Sequence, residues 1–175
     1  MGLLVAGVMS AGVLAGCAPE PAPSPAPTPT VTALTPEEEA FRAAEATYRA
    51  YVDALNRVDL ADPSTFEPLY ALTTGELETH DRNLFEARHA GNYTLSGKIA
   101  IVRLELVRWM PSKGQLRLST CVDVSEVDVR DASGSSIVSP NRPEVQSLTV
   151  DVDVSDLSSP LLSSIAGDEG KTCTP

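Results

Sequence analysis

The fold is decided by residues 94–130, which read TLSGKIAIVRLELVRWMPSKGQLRLSTCVDVSEVDVR. Residues 94–109 are rich in β-branched and aliphatic side chains, which favour strands. The tetrapeptide PSKG at 111–114 is typical of a hairpin turn. Residues 115–130 then alternate between apolar and polar types. This pattern predicts two long antiparallel strands joined by a tight turn.

The alternation also predicts which side chains of the hairpin face the core. In the first strand the alternation shifts phase near Ile101 and Val102, which indicates a β-bulge or a local twist. The second strand has an inward face made of Leu116, Leu118, Thr120, Val122 and Val124, and an outward face made of Arg117, Ser119, Cys121 and Asp123.

Two more strands are predicted downstream of the hairpin. Residues 131–134 are typical of a turn, and residues 145–154 alternate again, with Leu148, Val150, Val152 and Val154 on one face. A short last strand is expected over residues 161–165.

Upstream of residue 94 the apolar period is helical. Thr35 is predicted as the N-cap of a helix over residues 36–58, with Pro36 in its first position and Glu38 completing a capping box. Pro63 opens a shorter helix, and a third helix begins at Thr74 or Gly75 and ends at Gly91. In this third helix the apolar face carries Leu77, Leu84, Phe85 and Arg88, and the polar face carries Glu76, Glu78, Asp81 and Arg82.

The order of these elements predicts the fold class. Helices come first and a run of antiparallel strands follows, which is typical of an α+β domain with the N-terminal helices packed on one face of a curved sheet.

The N-terminal segment has the character of an export signal. Residues 1–16 contain no charge and are too few to span a bilayer as a helix. The sequence LAGC at 14–17 resembles the lipobox of bacterial lipoproteins. The resemblance implies that Cys17 receives a diacylglyceryl group, and that cleavage before it frees the amine for acylation. The lipid bilayer would then be a partner through acylated Cys17.

A proline-rich segment follows Cys17. Six prolines stand at alternate positions from Pro19 to Pro29, a pattern that favours extended polyproline II and excludes helix. We therefore expect three segments: a signal peptide at 1–16, a lipidated linker at 17–35, and an α+β domain at 36–175.

Composition excludes several classes of function. The chain has 24 acidic and 13 basic residues, a formal net charge of −11, so a nucleic acid backbone would repel it. GxGxxG, P-loop, GxSxG and HExxH motifs are absent from the sequence, and we expect no cofactor and no metal. A set of acidic side chains is expected on outward strand faces: Asp123, Glu126, Asp128, Asp131, Asp151 and Asp153. They could hold a divalent cation weakly. The preferred interpretation is that they are ordinary solvated charges.

Two cysteines remain once Cys17 is assigned to lipid. An exported chain meets an oxidising environment, so Cys121 and Cys173 are candidates for a disulfide. Two independent thiols are the alternative.

Three helices followed by long, bent antiparallel strands resemble the cone-shaped fold of the nuclear transport factor two-like superfamily. The lipobox, the proline-rich linker, the helix TPEEEAFRAAEATYRAYVDALN and the strand-turn CVDVSEVDVRDASG also resemble small secreted lipoproteins of high-GC Gram-positive bacteria and their phages. This resemblance implies a location on the outer face of the bacterial cell membrane.

Enzymes of the cone-fold superfamily place an acid or base inside the mouth of the cone. The candidates in this sequence are Tyr51, Asp53, His80 and Asp81, with His80 and Asp81 as an acid–base pair on the third helix. Tyr48 is expected in the core, Tyr51 and Asp53 at the surface or rim, and His80 is more simply a surface histidine.

Two functions are compatible with this sequence. The preferred one is a membrane-anchored binding module at the cell envelope, whose partner is a protein, a glycan or a small apolar molecule. The alternative is an enzyme of the polyketide cyclase or ketosteroid isomerase kind that acts on a small apolar substrate.

Overall fold

The first helix of the domain begins at the capping box that the sequence predicts. In the computed structural model, helix α1 covers Pro36–Leu55. The Glu38 backbone N–H donates to Thr35 Oγ1 at 3.3 Å, and the Glu38 carboxylate accepts from the Thr35 backbone N–H at 2.7 Å. The helix ends three residues earlier than predicted, because the backbone after Leu55 tightens into a turn in which the Val58 N–H donates to the Leu55 carbonyl.

The structure describes Gly2, residues 33–168 and Cys173. The predicted signal segment at 1–16 (Gly2 aside), Cys17 and residues 18–32 of the predicted linker lie outside the described residues.

Two further helices follow α1. A 3-10 turn at Pro63–Thr65 leads into the short helix α2 (Glu67–Tyr70), and α3 covers Gly75–Ala90. The chain between α2 and α3 is fixed to the sheet: the Thr74 N–H donates to the Leu162 carbonyl at 2.8 Å, and the Leu162 N–H donates to the Leu72 carbonyl at 2.9 Å. These two bonds set where α3 starts relative to the sheet.

Strands β2 (Ala100–Met110), β3 (Gln115–Asp123), β5 (Val145–Asp153) and β6 (Leu161–Gly167) form an antiparallel sheet in the order β2-β3-β5-β6. The β2–β3 register shifts between Ile101 and Arg103, which confirms the predicted bulge, and shifts again between Leu106 and Arg108. Such bulges increase the local twist and bend of a strand. The sheet therefore curves around the helices, and the domain is α+β.

A two-stranded ribbon corrects one prediction. Residues 115–130 alternate throughout, but the strand breaks after Asp123, because the Asp123 carboxylate accepts the Ser125 N–H at 2.8 Å and starts a turn. Strand β4 (Asp128–Arg130) then leaves the main sheet and pairs with β1 (Thr94–Ser96).

The core lies between the helices and the concave face of the sheet. The predicted inward residues of β3 are buried, with Leu116 and Leu118 at 0% exposure, and Val150 and Val152 of β5 are equally inaccessible. Tyr48 of α1 and Phe85 of α3 are among the largest fully buried side chains. Burying this apolar surface supplies the main driving force for the fold.

A disulfide joins Cys121 of β3 to Cys173, with the two Cα atoms 5.8 Å apart. This confirms the predicted bridge and excludes two independent thiols. It holds Cys173 against the outward face of β3.

Within the described part of the chain, no helix combines the length and the apolar character needed to cross a membrane.

Candidate functional site

The main candidate site is a cavity of about 250 Å³ between the helices and the concave face of the sheet. We call it the cone cavity. Its wall is mostly apolar, with contributions from α1, α3, β3, β5, β6 and the segment before β2. The polar side chains in this wall are Tyr48, Tyr51, His80, Asp81 and Gln146. Apolar cavities with a few converging polar groups are the usual form of a small-molecule site.

A buried hydrogen bond between two helices is the chemical centre of the cone cavity. The Tyr51 hydroxyl of α1 donates to Asp81 Oδ2 of α3 at 3.1 Å. Asp81 is only 4% exposed and Tyr51 only 7%. Helix α1 packs against the sheet and α2, and its buried face includes Tyr51 as well as Tyr48.

Burial changes the proton affinity of both partners. Loss of solvation raises the pKa of Asp81 above its ordinary value, against the opposing effects of the Tyr51 hydrogen bond and nearby His80. Loss of solvation also raises the pKa of Tyr51, and the Asp81 charge raises it further. A carboxyl in such an apolar setting holds its proton more tightly than one in water.

Two predictions about these residues need correction. Tyr51 is not at the surface or rim, and Asp81 does not lie on the polar face of α3; both side chains are buried. The reason is that α3 packs against β6 and α2, and position 81 lies on the buried side of the helix, where Asp81 meets Tyr51, although its sequence neighbours are polar.

His80 and Asp53 occupy different surroundings from Asp81. His80 is exposed but lines the edge of the cone cavity. Adjacent residues on a helix point in different directions. Asp81 therefore accepts its hydrogen bond from Tyr51 and does not pair with the neighbouring His80. Asp53 is exposed, as predicted, and is not part of the cavity wall.

Tyr48 is a core residue, as predicted, and also reaches the cone cavity. Burial raises its pKa to about 12, with a hydrogen bond to Thr120 acting in the opposite direction. Its hydroxyl therefore stays protonated at neutral pH and can serve as a hydrogen-bonding group.

Five of the six acidic residues predicted on outward faces form local hydrogen bonds or ion pairs; they are Asp123, Asp128, Asp131, Asp151 and Asp153. Asp151 forms a two-point ion pair with Arg117, at 2.7 and 2.9 Å. Asp123, Asp131 and Asp153 accept hydrogen bonds from nearby serines in turns. Among residues 33–168 and Cys173, no group of three or more metal-binding side chains converges.

Sequence reasoning missed a residue that holds part of the cone-cavity wall in place. The Asn56 side chain, just after α1, pairs with the backbone of Ile99: Nδ2 donates to the Ile99 carbonyl at 2.9 Å, and Oδ1 accepts its N–H at 2.8 Å. Ile99 and Leu55 form part of the cavity wall. The only sequence signal was an asparagine at a helix end, which is also common without any such contact.

Comparisons with known proteins identify the fold. No protein-family model matches the chain, and no curated protein matches it. A solved structure from Novosphingobium aromaticivorans, provisionally named an aromatic ring hydroxylase, is 11% identical with a TM-score of 0.50; the match covers 77% of this chain and 96% of that one. CagV from Helicobacter pylori, a VirB8 homologue of a type IV secretion system, is 10% identical with a TM-score of 0.45, over 72% of this chain and 96% of that one.

The first of these likenesses, at a TM-score of 0.50, concerns the fold of the domain. The domain has the cone fold of nuclear transport factor two-like proteins, with helices on the concave face of a curved antiparallel sheet. At 11% identity the likeness concerns the fold alone, and this fold hosts many unrelated functions. Function must therefore be argued from the cavity itself.

Proposed function

We propose that this protein is a lipid-anchored binding protein on the outer face of a bacterial cell membrane, and that its domain holds a small, mostly apolar molecule in the cone cavity. The lipobox at 14–17 and the proline-rich linker support the location. Lipid chains contribute roughly 0.8 kcal/mol per buried CH₂ group, so a diacylglyceryl group together with an acyl chain on Cys17 gives stable anchoring.

The observation that carries the binding role is the buried Tyr51–Asp81 pair in the wall of an otherwise apolar cavity. A buried carboxyl costs free energy unless it is hydrogen-bonded. A ligand hydroxyl that donates to Asp81 would offset part of this cost, and the apolar wall would cover the rest of the ligand. At roughly 30 Å³ per water-sized group, a cavity of about 250 Å³ holds a molecule of about eight non-hydrogen atoms.

A small molecule fits these features better than a protein or a glycan. A protein partner needs an exposed apolar patch near the mouth of the cavity. In the described residues, the large apolar side chains with high exposure are Val102, Val107, Ile137 and Leu157, and the cavity wall contains none of them. A glycan needs several exposed polar groups, whereas this wall is mostly apolar.

The binding proposal is tested by calorimetric titration of the full chain carrying Cys17→Ser with 4-ethylphenol, a small apolar molecule with one hydroxyl donor. We expect binding that weakens at least tenfold in Asp81→Asn. The matched control is Asp53→Asn, the same change at an exposed position of α1 outside the cavity. Equal affinity in wild type and Asp81→Asn would exclude Asp81 as the binding group.

A second candidate function is proton-transfer catalysis of the isomerase or cyclase kind. It is favoured by the raised pKa of Asp81 within an apolar cavity, because a general base works best when its pKa lies near the working pH. In this role Asp81 would take a proton from a carbon beside a carbonyl group, and Tyr51 would hold the carboxylate in place.

Conversion of 3-cyclohexenone to 2-cyclohexenone, followed by ultraviolet absorbance, separates the two functions. An enzyme would accelerate this conversion, and Asp81→Asn would abolish the acceleration while Asp53→Asn retained it. Binding of 4-ethylphenol without any acceleration would leave the binding role as the proposed function.

The location is tested by expression of the full chain in a bacterium, followed by fractionation and intact mass measurement. We expect a membrane-bound product that begins at Cys17 and carries lipid, and a Cys17→Ser variant that carries no lipid and is not cleaved before position 17. A soluble wild-type product that retains residues 1–16 would refute the anchor.

A further inference from the structure

A second cavity, of about 290 Å³, lies beside the cone cavity, between α3 and the β1–β4 ribbon. We call it the ribbon cavity. Leu55 and Ile99 line both cavities and form the partition between them. The hydrogen-bonded pairing of Asn56 with Ile99 fixes this partition in place.

The walls of the ribbon cavity combine apolar side chains with two arginines. Phe85 of α3, Leu95 of β1, Val127 and Val129 supply apolar surface. Arg88 of α3 and Arg142, from the segment before β5, are its charged members. The wall contains no aspartate or glutamate from the described residues.

Arg88 is half-buried and has no carboxylate oxygen within ion-pair distance in the described part of the chain. Loss of solvation lowers the pKa of its guanidinium, an effect that Tyr93 partly opposes. A partly desolvated cation without a counter-charge is costly, so an anion that reaches Arg88 gains more there than at an exposed arginine.

Arg142 is already held in position. Its Nη2 donates to the carbonyl oxygens of Val124 and Val127, at 2.7 and 2.8 Å. These partners are neutral, and Arg142 forms no ion pair with a carboxylate among the described residues. Five other arginines of this acidic chain have carboxylate partners; they are Arg49, Arg82, Arg103, Arg117 and Arg130. The three remaining arginines, Arg42, Arg57 and Arg108, form no ion pair in the described residues but are exposed to solvent.

We propose that the ribbon cavity binds a small monocarboxylic acid, with its carboxylate on Arg88 and Arg142 and its apolar body against Phe85, Val127 and Val129. Guanidinium groups present a planar set of donors that matches a carboxylate. A volume of about 290 Å³ holds about ten non-hydrogen atoms, the size of a medium-chain fatty acid or a simple aromatic acid. A single anionic end fits a cavity in which the remaining wall is largely apolar.

Calorimetric titration of the full chain carrying Cys17→Ser with sodium octanoate tests the proposal, with 1-octanol as the uncharged analogue. We expect octanoate to bind at least tenfold more tightly than octanol. Arg88→Met, which keeps an unbranched side chain without charge, should weaken octanoate binding at least tenfold. The matched control is Arg108→Met, the same change at an exposed arginine of β2 outside the cavity, which should leave binding unchanged.

Amide chemical shifts locate the bound acid. We expect octanoate to move the signals of Leu95, Val127 and Val129, and to leave those of Leu77 and His80 in the cone cavity unmoved. Asp81→Asn should not alter octanoate affinity, so this site can fail or succeed independently of the proposed function. The proposal is overturned if octanoate does not bind at millimolar concentration, if Arg88→Met binds it as tightly as wild type, or if the shifts cluster in the cone cavity.

Discussion

The disulfide between Cys121 and Cys173 should be the largest single contribution to the stability of the domain. The two residues are 52 positions apart in the sequence, and closing a loop of that length restricts the unfolded chain by about 4 kcal/mol at 25 °C in the chain-entropy relation. The unfolding entropy of a domain of roughly 140 residues converts this into a fall of roughly 14 °C in Tm. The variant to use is Cys173→Ser, because Cys121 is buried and should keep its packing.

Urea unfolding of Cys173→Ser and of the parent protein, both in a Cys17→Ser background, measures this contribution. We expect the free energy of unfolding to fall by about 4 kcal/mol and the m value to rise, because the unfolded chain without the bridge exposes more surface. A reductant should bring the parent protein to the stability of Cys173→Ser and should leave that variant unchanged. A difference below about 1 kcal/mol would refute the loop-closure reasoning.

Three further predictions concern the cavity, the core and the ribbon. Asp81→Asn should gain stability relative to wild type as the pH rises from 3.8, the ordinary pKa of the carboxyl, through the raised pKa of Asp81 in the folded state. The reason is that the folded state binds the Asp81 proton more tightly than the unfolded chain does, so wild type loses stability when that proton leaves. Urea midpoints of both proteins between pH 3.5 and 8 measure this, and a constant difference would contradict it. Leu118→Ala, at a fully buried position, should lower the free energy of unfolding by about 3 kcal/mol. Val107→Ala, at a position that is 48% exposed, should lower it by less than about 1 kcal/mol. Equal shifts in Tm for the two variants would contradict the assigned burial. Gly97→Ala should lower the free energy of unfolding by on the order of 2 kcal/mol or more, because Gly97 has a φ of +81° and an added Cβ would lie 1.9 Å from the Glu126 carbonyl oxygen. Hydrogen exchange should show that the β1–β4 ribbon opens first in this variant. Unchanged protection of the ribbon would argue against this close approach.

The local features of the fold could be predicted from the sequence because neighbouring residues determine them. The capping box at Thr35 and Glu38 lies within one helical turn. The alternation from Leu116 to Val124 reports a strand with one buried face, and the phase shift near Val102 reports the bulge. The break after Asp123 was missed because alternation continues through it, although the chain turns and changes sheet there.

The candidate site was predictable only in part. Tyr51 and Asp81 were both chosen from the sequence, but as a rim residue and as a partner of His80. Their hydrogen bond joins residues 30 positions apart, and it depends on how α1 and α3 cross the sheet. No local pattern reports that crossing, since Asp81 stands among polar residues that face solvent.

The order of helices and strands and the acidic charge follow from the sequence alone, because each depends on composition or on short-range periodicity. Export and lipidation remain predictions from the residues at its start. Which polar groups lose contact with water depends on the tertiary structure. The burial of Asp81 and the convergence of Arg88 and Arg142 on one cavity follow from the packing of distant segments. Solvation of a side chain depends on all the segments that pack around it, and the residues next to it in the sequence do not report those segments.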